Sequence, residues 1–228
     1  GKDRNDAIGK MREALNGFVI RGVSSNIPFQ AALLAHPRFV KGDFNTGFIA
    51  EQYSKGFRAE DVPHDDAAFL TALAAFVRRK SSTISGQLPG YAVNAGKDYV
   101  VVTLAADGKN AYTPVHVDDF VGETGSARVK VGSATYDIRS QSRLNDIAIV
   151  GTVNGLPFTA QVERGTPKNP LALRVQHNGT RTDVLVMSPR MAELHALMPF
   201  KAAPDMSRFV LSPMPGLLVD VAVVPGQK

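Results

Sequence analysis

The feature that most constrains the fold is a series of short segments with alternating apolar and polar residues between residues 98 and 187. A period of two is typical of β-strands. Dipeptides suited to tight turns, Asp107-Gly108, Asn154-Gly155 and Asn178-Gly179, separate several segments. Consecutive strands joined by hairpins form an antiparallel sheet, and eight of them commonly close into a barrel or a sandwich. We predict eight strands, at 98–104, 110–118, 126–131, 134–139, 145–153, 156–164, 170–177 and 180–187.

The segment at residues 65–80 predicts a helix that is apolar on most sides. Its apolar residues are Ala67, Ala68, Phe69, Leu70, Leu73, Ala74, Phe76 and Val77. A helix that is apolar all round is buried in a core. We therefore predict an α+β fold in which an eight-stranded antiparallel β-barrel surrounds a long central helix.

The first part of the chain also reads as helical. Apolar residues recur at three- and four-residue intervals, which predicts one amphipathic helix, and they are Ala7, Ile8, Met11, Leu15 and Phe18. Asn26 is the predicted N-cap of a second helix, with Pro28 in its first turn. Shorter helices are predicted at 47–53 and 189–198. Two strand-like segments after residue 208 are expected to begin a further domain that this sequence does not complete.

Composition and charge exclude several classes of function. The absence of cysteine excludes disulfides, thiolate zinc sites and cysteine nucleophiles. The net charge is +5, but the basic residues are dispersed and tryptophan is absent, which argues against nucleic acid. The cluster Arg78-Arg79-Lys80 is interpreted as complementing the dipole at a helix end. No apolar segment approaches the ~20 residues of a membrane helix.

Motifs that carry chemistry are not found. The five histidines are far apart in sequence, and His116 is predicted to be a structural residue on the sheet face. The pairs Asp65-Asp66 and Asp118-Asp119 are interpreted as a helix start and a strand end. No catalytic and no metal-binding residue is predicted in this chain, which reads as a scaffold or an interaction module.

One connection has no periodicity. Residues 81–97 join the buried helix to the first strand and contain the apolar residues Ile84, Leu88, Tyr91 and Val93. A long connection of this kind is usually functional or disordered. The sequence leaves two readings open, a surface for a partner and a loop that packs on its own barrel.

The two ends of the chain resemble parts of one family. Ser212-Pro-Met-Pro-Gly216 with Val224-Pro-Gly-Gln resembles the opening of a biotinyl carrier domain. Met11-Arg-Glu-Ala-Leu15, Gly22-Val-Ser-Ser-Asn-Ile27 and Gly42-Asp-Phe-Asn-Thr-Gly-Phe-Ile49 resemble the C-terminal end of an ATP-grasp biotin carboxylase domain. This order is that of the α subunits of biotin-dependent acyl-CoA carboxylases. The segment 186–194 is most similar to the propionyl-CoA carboxylase branch.

The resemblance implies a division of the chain into three parts. Residues 1–56 would end the biotin carboxylase domain, 57–206 would form the subunit-tethering BT domain, and 207–228 would begin the carrier domain. Within the BT domain, residues 81–97 (here called the hook) would follow helix 65–80 and precede barrel 98–187. The residues expected to contact the carboxyltransferase β subunit are Ile84, Gln87, Leu88, Pro89, Tyr91 and Val93.

The resemblance also implies a reaction and its location. ATP, Mg2+ and bicarbonate would carboxylate biotin, which would carry the carboxyl group to propionyl-CoA on the β subunit. These cofactors would be bound outside this chain, apart from a contact of Thr46 near the adenine. A dodecamer of six α and six β subunits is implied, in the cytoplasm of a bacterium or in a mitochondrial matrix. The alternatives are a methylcrotonyl- or acetyl-CoA enzyme and a free-standing β-barrel binding module.

Overall fold

The structure is a computed structural model. It describes residues 1–58, 66–84, 96–105, 107–118, 120–166, 169–200 and eight single positions between 209 and 227. The chain divides into two compact units, Gly1–Met198 and Pro199–Lys228. In the described ranges, no helix combines the length and the apolar character that crossing a bilayer requires.

Four helices form the N-terminal part of the first unit. They are α1 (Arg4–Gly17), α2 (Ile27–Ala35), α3 (Pro37–Lys41) and α4 (Phe48–Gln52). The side chain of Asp3 caps α1 by accepting a hydrogen bond from the backbone of Asp6. Asn26 occupies the N-cap position of α2, as predicted, but its side chain makes no capping hydrogen bond to the backbone. Pro28 is the second residue of α2, where the restricted φ angle of proline suits the first turn of a helix.

The predicted central helix is α5 (Ala67–Ile84), which extends four residues beyond the predicted end at residue 80. Phe69, Leu70 and all of residues 72–77 are buried, so the helix has no solvent-facing stripe over these turns. It contacts strands on most sides of the barrel. The interpretation that an apolar helix fills a barrel is confirmed.

All eight predicted strands are present and form one closed antiparallel barrel. Each strand pairs with the next in sequence, and β1 closes the barrel by pairing with β8, with Val101 opposite Val186. The strands are β1 (Asp98–Thr103), β2 (Ala111–Val117), β3 (Ser126–Val131), β4 (Ala134–Arg139), β5 (Ala148–Val153), β6 (Leu156–Arg164), β7 (Leu173–His177) and β8 (Thr180–Met187). β5 and β7 each begin three residues later than predicted, because the residues before them belong to longer connections.

Turn chemistry fixes the register of two hairpins. Asn154 and Asn178 have φ angles of 50° and 49°, and the glycines that follow each have φ of 81°. This succession of two left-handed residues is the type I′ turn that matches the twist of the flanking strands. The Asn-Gly dipeptides therefore set which residues of β5–β6 and β7–β8 face the core.

The core lies between α5 and the inward faces of the strands. Strand β3 shows the alternation clearly, with Ala127, Val129 and Val131 buried. A smaller apolar cluster of Val102, Ala172 and Leu185 lies apart from this core. The helix α6 (Pro189–Ala196) follows β8 and contacts β1 and β8.

The second unit carries no assigned helix or strand at its described positions, among them Phe209, Leu217 and Val219. Most of the two strand-like segments predicted after residue 208 lies outside the described residues. The predicted domain limits at residues 56 and 206 stay predictions.

Candidate functional site

The two ends of the barrel differ in the length of their connections. At one end, turns of two residues join β3 to β4, β5 to β6 and β7 to β8, and one longer connection, 104–110, joins β1 to β2. At the other end, the longer connections 118–125, 140–147 and 165–172 join β2 to β3, β4 to β5 and β6 to β7. We call these the hairpin end and the wide-loop end. Binding residues concentrate on loops held by a rigid scaffold, so the wide-loop end is the candidate functional end.

Helix α5 begins at the hairpin end, where Asp66 caps it. The Asp66 carboxylate accepts a hydrogen bond from the backbone N–H of Phe69 at 3.1 Å. The Tyr136 hydroxyl donates to the same carboxylate, at 2.8 and 2.9 Å from its two oxygens. Burial of the phenol, reinforced by the Asp66 carboxylate, raises the pKa of Tyr136 well above its usual range. The interpretation of Asp65-Asp66 as a helix start is confirmed for Asp66.

Lys80 holds the wide-loop end together. Its buried ammonium donates to the carbonyl oxygens of Ser140 at 3.0 Å and Ser142 at 2.6 Å. Burial lowers the pKa of Lys80, while the charge of Asp146 acts in the opposite direction. The interpretation that residues 78–80 end a helix and complement its dipole is wrong, because α5 continues to Ile84 and Lys80 bonds loop carbonyls instead.

The predicted hook leaves the barrel at the wide-loop end. Its first four residues, 81–84, continue α5, and the chain is described again at Gly96 just before β1. Ile84 is the last residue of α5. The predicted contacts Gln87, Leu88, Pro89, Tyr91 and Val93 lie outside the described residues, as does the side chain of Ile84. Their contact with a β subunit stays a prediction.

Thr46, the predicted neighbour of an adenine, is exposed in the turn before α4. Among the residues that the structure describes, no group of three or more histidine, aspartate and glutamate side chains could hold a metal ion.

His116 lies on the sheet face of β2, as predicted, and points away from the core, while its structural role stays a prediction. Its Nδ1 is 2.7 Å from the carboxylate of Asp98 on β1, and its Nε2 is 3.2 Å from that of Asp118. Asp98 pairs with His116 across the strands. Sequence spacing missed this partner, since only the register of β1 against β2 places the two side chains together.

A set of polar contacts that we call the latch joins α1 to the barrel, and sequence reasoning did not predict it. Gln161 on β6 donates from Nε2 to the carbonyl oxygens of Asn16 at 2.8 Å and Phe18 at 2.9 Å. Asn16 in turn accepts from the backbone N–H of Asn178 at 2.8 Å and donates to its side chain at 2.9 Å. Arg21 pairs with Glu163 at 2.9 Å.

The latch is largely removed from water. Gln161 is 2% exposed and Asn16 is 6% exposed. Buried amides are stable only when their hydrogen bonds are made. The latch therefore fixes the N-terminal helical part in one position on the flank of β6, and leaves the wide-loop end of the barrel clear of α1.

These features define the class of the protein as a helix-filled antiparallel β-barrel module with a helical segment fastened to its flank. The family model "Propionyl-coenzyme A carboxylase BT domain" matches residues 70–201, and "Biotin carboxylase C-terminal domain" matches residues 1–51. The chain belongs to the propionyl-coenzyme A carboxylase BT domain family.

Relatives align with nearly the whole chain. It is 33% identical to the propionyl-CoA carboxylase alpha chain of Ruegeria pomeroyi and 30% identical to the mitochondrial one of Homo sapiens, each over 99% of this chain. The alignments cover 32% of the Ruegeria pomeroyi protein and 31% of the human one, so the chain spans about a third of the length of each. Biotin carboxylase 1 of Bacillus subtilis is 51% identical over 49 residues, 22% of this chain and 11% of that protein.

Proposed function

We propose that the chain is part of the α subunit of a propionyl-CoA carboxylase and that its barrel docks this subunit on a carboxyltransferase β subunit. The proposed reaction carboxylates biotin with ATP, Mg2+ and bicarbonate and then transfers the carboxyl group to propionyl-CoA. The match to the BT domain model carries the proposal. Biotin, ATP and Mg2+ are expected on parts of the polypeptide other than this chain, and the compartment stays a prediction.

The barrel supports a docking role better than a role in binding a small molecule. Leu73 and Phe76 of α5 fill the interior and are at most 1% exposed. The cavity between Phe76, Lys80 and the 140–147 connection measures about 10 Å³. Such a volume holds about one water molecule. A free-standing ligand-binding barrel would need a much larger interior space.

Docking has a mechanical consequence for a carrier-bound cofactor. Biotin on a tethered carrier domain must visit two active sites, one on each subunit type. Holding α on β raises the effective concentration of biotin at each site without any new contact to biotin itself. Because the latch fastens the segment matched by the biotin carboxylase model to the barrel, we expect the two to move together.

The experiment is a binding measurement on the full-length α subunit with its β subunit. We expect replacement of Leu88 and Tyr91 by aspartate to raise the Kd by more than about a hundredfold, because buried aliphatic and aromatic anchors dominate interface energy. Leu156→Asp is the matched control, since Leu156 is 70% exposed and begins β6 at the hairpin end. Unchanged binding by the double variant, with circular dichroism intact, would show that the hook does not dock the subunit.

The acyl-CoA is tested separately on the assembled α–β complex. We expect propionyl-CoA to be carboxylated faster than acetyl-CoA or methylcrotonyl-CoA at equal concentrations. A preference for either competitor would assign the chain to another acyl-CoA carboxylase while leaving the docking proposal in place.

A further inference from the structure

An open groove lies at the wide-loop end of the barrel, between α5, the 165–172 connection and α6. Its volume is about 260 Å³. Most of its lining is apolar, and the side chains that reach it from the strands, the connection and α6 are Leu171, Leu173, Leu185, Val186, Met187 and Met191. Leu171 is 81% exposed and lies beside the other apolar side chains of the groove, and a contiguous exposed apolar surface is typical of an interaction site.

Two arginines at the groove lack a partner among the residues that the structure describes. Arg78 from α5 and Arg164 from the end of β6 both line it and both are exposed. Neither guanidinium has a carboxylate or carbonyl partner among the described residues. Arg128 and Arg174 on the barrel differ, since each bonds an aspartate through two nitrogens.

The lining specifies the chemistry of an occupant. Guanidinium groups bind carboxylates through paired hydrogen bonds, and methionine, leucine and arginine are typical of interface cores. The described lining residues include no acidic side chain that would repel an anion. An occupant therefore has apolar side chains for the floor and one or two carboxylates for the arginines.

The location favours a partner over a free ligand. The groove lies at the end of the barrel where α5 leads into the predicted hook, whereas the flank at β6 is covered by α1 through the latch. A partner that contacts the hook reaches this groove without crossing the barrel. The groove is open, and it does not enclose a small molecule on most sides as a ligand cavity does.

We propose that this groove is a second docking site, which binds a segment of the β subunit in which Asp or Glu side chains flank apolar residues. The inference rests on the proposed docking function and names a surface and a partner chemistry that the hook does not supply. Arg78 and Arg164 would pair with the carboxylates, and Leu171 and Met191 would cover the apolar residues.

The charge is tested with Arg78→Glu combined with Arg164→Glu in the full-length α subunit. We expect the Kd for the β subunit to rise by about tenfold or more, since charge reversal replaces attraction by repulsion. We also expect the wild-type Kd to rise with added salt more steeply than that of the variant. The control is Arg181→Glu, an exposed arginine on β8 at the hairpin end, about 20 Å along the strand from Met187.

The apolar part is tested with Leu171→Asp. We expect it to raise the Kd by about tenfold, because it places a charge on the floor and adds repulsion to the partner's carboxylates. Leu156→Asp again serves as the control, with a similar exposure at the other end of the barrel.

The outcomes separate this inference from the docking proposal. Wild-type affinity in the arginine variant, with binding lost in the Leu88 and Tyr91 variant, would overturn the groove and leave the docking proposal standing. Absence of any binding by the wild-type subunit would overturn both. A large fall in the melting temperature of the arginine variant, measured without the β subunit, would overturn the inference, because the two arginines would then stabilise the α subunit itself. Weaker binding at an unchanged melting temperature supports the inference.

Discussion

At the scale of the residue, the best-defined polar contact of the barrel is the one between Tyr136 and Asp66. Tyr136 lies on β4, shortly after the hairpin that joins β3 to β4, and Asp66 is the residue that caps α5. A single carboxylate therefore fixes both the start of the helix and its position in the barrel. A hydrogen bond to a charged group of this kind is worth about 1.5–3 kcal/mol.

The pKa of Tyr136 makes this contact testable. Because folding raises this pKa, the folded protein holds the phenol proton more tightly than the unfolded chain does. The contribution to stability is complete below the ordinary tyrosine pKa of about 10 and is lost as the pH rises above it. We expect the free energy of unfolding of the wild type to fall more steeply than that of Tyr136→Phe between about pH 9 and pH 12.

The measurement is urea unfolding of both proteins across this pH range. The two proteins differ only at this residue, so the difference between the two curves isolates Tyr136. Parallel curves would show that Tyr136 does not carry the expected linkage. At neutral pH we expect the variant to be less stable by about 1.5–3 kcal/mol.

At the scale of the element, most of the apolar stripe predicted for helix α1 is not buried against the rest of this chain. The apolar stripe predicts the helix correctly, but Met11 is 52% exposed and Phe18 is 58% exposed. Leu15 is buried, beside the buried amide of Asn16. What fastens the helix to the barrel is therefore largely the polar latch.

The latch predicts a coupling between two distant elements. Gln161→Leu leaves the carbonyl oxygens of Asn16 and Phe18 without their donor, so we expect a loss of about 1–3 kcal/mol in the free energy of unfolding. Asn16→Ala keeps the backbone carbonyl that accepts from Gln161 but removes the side-chain bonds to Asn178. Because both substitutions loosen the same end of α1, we expect the double variant to lose less than the sum of the single losses.

Chemical unfolding of the three variants and the wild type gives this coupling energy. A matched control is Gln176→Leu, a half-buried glutamine that pairs with Gln161 across β6 and β7. Additive losses for Asn16 and Gln161 would mean that the two residues act independently and that the latch is not one unit.

At the scale of the whole molecule, the barrel and its helix have one shared core. Leu73 is fully buried on α5 and belongs to the same cluster as Val101, Val129 and Val175 of the strands. A sheet closed around a helix leaves neither element a separate apolar core. We therefore expect helix and barrel to unfold in one cooperative transition.

Leu73→Ala tests this unity. The substitution leaves a cavity in the centre of the barrel, so we expect a loss of about 2–5 kcal/mol. Within each protein, the variant and the wild type alike, the midpoint from circular dichroism should coincide with the midpoint from tyrosine fluorescence. Midpoints that separate would show that α5 is released from the barrel before the strands come apart.

Local signals in the sequence determined much of this architecture. Alternation predicted the eight strands, the Asn-Gly dipeptides predicted two hairpins, and the nearly continuous apolar surface of residues 69–77 placed α5 in the interior. The ends of elements were less well predicted, as the extension of α5 to Ile84 and the late starts of β5 and β7 show. The periodic spacing of apolar residues depends only on residues that are close in sequence, so it can be recognised before the fold is known.

Only the tertiary structure decided which polar groups meet. Gln161 finds Asn16, Tyr136 finds Asp66, and Lys80 finds the carbonyl oxygen of Ser140 across long separations in sequence. The same is true of Arg78 and Arg164, which the closed barrel brings to one groove. A hydrogen bond or a shared groove depends on distance in space, and that distance is fixed only when the strand register and the closure of the barrel are known.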